Sequence, residues 1–134
     1  MKITFNEKEY TIKFGYKATV KSGIIKKIAK SESIEDEFDA LENTLTMIPE
    51  LLVVGLQVYH SDEFGYNLDT NEGFDEQVGK CYALLDEWLE NKDNNFLALY
   101  RAIESELLND SFLSSLFQRE EQKATKTAKA TTKK

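Results

Sequence analysis

The chain has 134 residues, 41% apolar and 11% aromatic, which is one domain's worth of folding sequence. Its single Cys and single His exclude an intramolecular disulfide, multi-cysteine zinc or iron–sulfur sites and most metal and triad chemistry. Seventeen Lys and Arg against twenty-four Asp and Glu leave a net charge of −7, which argues against nucleic acid as the main partner.

The charge is segregated. Residues 1–30 hold eight Lys and two Glu; residues 31–122 hold four Lys or Arg and twenty-two acids; residues 123–134 hold five Lys and no acid. Six Gly and one Pro favour helices over a loop-rich β-sandwich. No window of about eighteen apolar residues is present to span a membrane. Met1–Glu7 turns polar too soon for a secretory signal. A soluble cytoplasmic protein with no membrane partner is the expectation.

Residues 2–14 alternate as a β-hairpin, with Ile3 and Phe5, then Tyr10, Ile12 and Phe14, on one face and Asn6-Glu7-Lys8-Glu9 as a four-residue turn. Gly15 ends the strand. Tyr16–Lys30 reads as one amphipathic helix, with Val20, Ile24 and Ile28 in line and a basic outer face. Ser33 is the expected cap of a helix over Ile34–Leu45, with Ile34, Phe38, Leu41 and Leu45 inward. Pro49 is expected to open a new, central helix ending at His60, because Pro is tolerated in a first turn. Ser61–Gly73 reads as a long loop. Helices follow over Phe74–Leu89 and from Phe96 to Leu107, and Asp110 or Ser111 caps a last short one carrying Phe112, Leu113, Leu116 and Phe117. Lys123–Lys134 contains only Lys, Ala and Thr and reads as a disordered tail. The fold expected is mostly α (α+β), a hairpin packed on a bundle of five to six helices. Residues 1–122 form a single domain and residues 123–134 a flexible tail.

No catalytic constellation, metal site or cofactor motif emerges. His60 lacks a partnered nucleophile and reads as a helix-terminal His satisfied by the dipole and solvent. Cys81 lies on a buried stripe, where a thiol behaves as a small hydrophobe. Asn67–Gly73 resembles a calcium loop only loosely: Glu72 stands where Gly is required and Val78 where the bidentate Glu belongs. Five lysines without Arg or aromatics make a weak nucleic-acid arm. Phe112, Leu113, Leu116 and Phe117 either close the core or form a partner-binding element of the helix-in-groove kind.

The opening, Met1-Lys2-Ile3-Thr4-Phe5-Asn6-Glu7-Lys8-Glu9-Tyr10-Thr11-Ile12-Lys13-Phe14-Gly15-Tyr16-Lys17-Ala18, resembles the start of tail assembly chaperones from long-tailed, siphovirus-type phages of Gram-positive bacteria. In that family an Asn-Gly-Lys-Glu-Tyr-type hairpin leads through Lys-Phe-Gly into a helix. The likeness extends to Ile48-Pro49-Glu50-Leu51-Leu52 and the Trp88 helix, and departs from the pattern at Glu7, where Gly is expected. The resemblance implies a late protein of the host cytoplasm, absent from the finished virion. Such a protein keeps tail tube and tape-measure proteins soluble and promotes tube polymerisation. It also implies a longer form made by ribosomal frameshifting near the codons for Lys123–Lys134. Self-association into a homo-oligomer through the hairpin's open edge is compatible with it. The competing reading is a small acidic adaptor or inhibitor docking on a single partner.

Overall fold

The computed structural model describes residues 1–115. Alternation builds an antiparallel hairpin of β1 (Lys2–Phe5) and β2 (Lys8–Thr11), in the register Ile3 opposite Tyr10 and Phe5 opposite Lys8. The turn is two residues, not four. Asn6 and Glu7 both take positive φ, 53° and 70°, the type I′ conformation whose twist matches that of the strands.

The basic segment forms two helices where one was expected, α1 (Tyr16–Ser22) and α2 (Ile24–Glu32). Gly23, in the left-handed region at φ 74°, ends the first and starts the second. The next helix is capped by Asp36 rather than Ser33. The Asp36 carboxylate accepts the amides of Phe38 and Asp39 at 3.0 Å each. Ser33 turns its hydroxyl back to the Lys30 carbonyl.

α3 (Glu37–Gly55) runs unbroken through Pro49. Pro in a helix interior costs about 3 kcal/mol, but Met47, Ile48 and Leu51–Leu56 are all buried, and that packing holds the axis across the missing donor. The break comes instead at Leu56, and α4 (Gln57–Phe64) follows at once, shortening the expected loop. Buried Gln57 secures this junction by donating from Nε2 to the carbonyls of Val53 at 2.9 Å and Phe64 at 2.8 Å. α5 (Phe74–Trp88) and α6 (Phe96–Asn109) complete the six helices among the described residues.

α3 is the central element. It packs most extensively on α5 and also touches α1, α2, α4 and α6. The hairpin lies across α4 and α5, with the Phe5 ring edge-on to Trp88 at 5.9 Å and Tyr10 edge-on to Phe64 at 5.9 Å. Beyond β2 the chain crosses the end of α3, where the Lys13 amide donates to the Gly55 carbonyl at 2.9 Å. No helix among the described residues is long and apolar enough to cross a membrane.

Candidate functional site: an uncovered apolar face

Helical spacing puts Phe38, Leu41, Leu45, Ile48 and Leu52 in one line along α3. The lower half of that line is core: Ile48 and Leu52 are fully buried. The upper half is not. Phe38 is 81% exposed, Leu41 55% and Leu45 41%, although the sequence reading placed all three inward. The reason is length. At 1.5 Å per residue α3 is about 28 Å long and α5 about 22 Å, so the apolar line outruns the helix that covers it. Treating Pro49 as a break hid this, because two short helices can each find their own cover.

Where α3 runs past the end of α5, Leu45, Tyr82, Leu85, Asp86, Leu89 and Phe96 line an open groove of about 330 Å³. Tyr82 and Leu89 are themselves exposed, although both belong to the apolar line of α5. Its surroundings are acidic. Residues 34–46 contain Glu35, Asp36, Glu37, Asp39 and Glu42 with no base, and residues 82–93 contain Asp86, Glu87, Glu90 and Asp93 against Lys92 alone. Among the described residues none of these carboxylates is ion-paired.

The C-terminal element is divided. Leu113 is buried and lines a small cavity of about 150 Å³ with Ile25, Ile28 and Leu107, so it closes the core. Phe112 is half-buried, its ring edge-on to Tyr16 at 5.1 Å. The Ser111 hydroxyl accepts the Leu113 amide at 3.1 Å, as an N-cap does. Leu116 and Phe117, and the tail expected over 123–134, lie outside the described residues.

His60 is not a solvated terminal residue. It sits inside α4 with non-helical φ and ψ of −129° and 28°, and its Nε2 accepts the Thr11 amide at 2.9 Å. That bond, with the Tyr10 ring edge-on at 5.1 Å, fastens the hairpin to α4. Next to it the Lys8 ammonium meets Glu63 at 2.6 Å, and this hydrogen bond raises the Lys8 pKa. Cys81 is buried in the core, and burial pushes its thiol up to about 12. In the loop before α5, the Asn67 side chain accepts the Asp69 and Thr70 amides, an internal turn that uses its oxygen within the chain. The loop is tied to α1 by Lys17–Asp69 at 2.8 Å, and the lysine holds the Asp69 carboxyl below its ordinary value.

Comparison with protein-family models, with curated proteins and with solved structures finds no match for this chain.

Proposed function

We propose that this protein works by binding and not by catalysis, as a tail assembly chaperone of a long-tailed phage of Gram-positive bacteria. It holds tail tube and tape-measure proteins in soluble, assembly-ready form in the host cytoplasm. The observation that carries the reading is the uncovered Phe38–Leu41–Leu45 face on an acidic helical body: a chaperone needs apolar surface that can be covered reversibly and charge that keeps the uncovered state dispersed. The order of hairpin, Lys13-Phe14-Gly15 and helix supports the same assignment. A frameshifted longer form belongs to this reading and requires a heptameric slip site near the codons for Lys123–Lys134.

Co-expression with the tube and tape-measure proteins encoded nearby, followed by size exclusion with light scattering, tests it. Co-elution, or tube protein that stays soluble only when this chain is present, is the expected outcome. Tube protein that behaves identically with and without the chain sinks the reading. The groove lined by Leu45, Tyr82, Leu85, Asp86, Leu89 and Phe96 also suits an adaptor with one partner, which is distinguished by a fixed stoichiometry with a host protein and by indifference to the tail proteins.

A further inference from the structure

We infer that the groove walled by Leu45 of α3, the end of α5 and Phe96 of α6, with the exposed Phe38–Leu41 line leading up to it, is the docking site for a cationic amphipathic helix of another protein. This deepens the chaperone reading, and rests on it only for which protein supplies the helix.

Three observations point the same way. First, Phe38, Leu41 and Leu45 at i, i+3 and i+7 continue into the groove walls Tyr82 and Leu89, which gives a long apolar track rather than a round pocket. Second, α3's spacing sets Glu37 on one flank of the stripe and Glu42 on the other, and Asp86 lines the groove itself. A helix with one apolar face and Lys or Arg along its margins meets both features at once. Third, the alternatives on the same surface fit less well. A two-fold pairing of two copies would set this acidic patch against itself, and like-charge juxtaposition opposes association. The chain's own basic helices are committed elsewhere: α1 and α2 already bury Ala18, Ile24 and Ile28 in the core against α3, and Lys17 and Lys27 pair with Asp69 and Glu50 at 2.8 Å.

The test uses the full chain and two synthetic eighteen-residue peptides, one a Leu/Lys amphipathic helix and the other the same helix with Glu for every Lys. Fluorescence anisotropy should show the Lys peptide binding at least about tenfold tighter than the Glu peptide, with an affinity that falls as salt screens the rim. Amide shifts should move in residues 37–46 and 82–90. Phe38→Ser with Leu41→Ser should weaken binding at least about tenfold with helix content unchanged, since both side chains are exposed. Glu37→Lys with Asp86→Lys should weaken the Lys peptide and favour the Glu peptide.

Equal affinity for the two peptides, shifts confined to other elements, or binding unaffected by the serine pair overturns the assignment. So does a chain that self-associates in the absence of peptide and becomes monomeric on the serine substitutions, because a second copy is then the occupant. The two readings fail separately. Peptide binding at this face with no effect on tail proteins removes the chaperone reading alone. Co-elution of tail proteins that survives the serine pair removes the groove alone.

Discussion

Glu7 holds φ at 70°, in the left-handed region where a side chain is crowded by its own carbonyl at about 1–2 kcal/mol. Its neighbour Asn6, at 53°, is a residue type that tolerates this conformation. Gly at position 7 would relieve the strain and return part of the gain through a freer unfolded chain. Glu7→Gly is therefore expected to stabilise the protein by about 0.5–1 kcal/mol, raising Tm by several degrees, as read by thermal and urea unfolding. A variant no more stable than the parent would show that the turn is not strained at Glu7. The hairpin was legible from alternation alone, but its turn was not: Lys8 and Glu9 look like loop residues until Lys8 is seen pairing with Phe5. Nor could His60 be read as the acceptor of an amide 49 residues away, because that role depends on how α4 meets β2 and leaves no trace in local spacing.

Helices were legible where one apolar line kept helical spacing from end to end, as in α5 and α6. They were misread where a single residue had to decide between continuing and stopping. Gly23 breaks a helix that periodicity would carry through, whereas Pro49 fails to break one because its surroundings are core. The exposed stripe on α3 follows from that continuity, since only an unbroken α3 is longer than α5. Two glycines show how far context outweighs propensity. A Cβ on Gly55 would lie 2.6 Å from Cγ2 of fully buried Ile12 and 3.3 Å from the Phe14 ring, whereas one on Gly79 would meet nothing within 4 Å. Gly55→Ala should destabilise by about 1–3 kcal/mol through overpacking where the chain crosses α3. Gly79→Ala, on the exposed side of α5, should stabilise by about 0.5–1 kcal/mol through helix propensity. Urea midpoints measured side by side must move in opposite directions; movement in the same direction would mean that the close approach at Gly55 is not what fixes that crossing.

For the whole molecule, Cys81 reports whether the core opens as one unit. It is buried on α5, the helix that packs most extensively on central α3, and burial raises its thiol from an ordinary 9.0 to about 12. The sign follows directly. The folded state keeps the proton that the unfolded chain releases above pH 9, so the stabilisation is complete below pH 9 and is lost as pH rises from 9 towards 12. Between pH 8 and pH 10 the loss should be about 1 kcal/mol, and Cys81→Ala should remove that slope while lowering stability modestly at both pH values. Burial also raises the Tyr10, Tyr66 and Tyr100 phenols, Tyr100 to about 12, and the hydrogen bond to Glu63 raises the Lys8 ammonium, so the alkaline slope that Cys81→Ala leaves near and above pH 10 belongs to these groups. Thiol labelling at pH 8 supplies the kinetic counterpart: reaction at Cys81 requires the α3–α5 core to part, and should run at least about 10³-fold slower than in the urea-unfolded chain. Labelling within tenfold of the unfolded rate, together with a flat pH profile, would mean that α5 separates from α3 on its own. The groove would then be a gap between two loosely held helices and not a fixed surface for a partner.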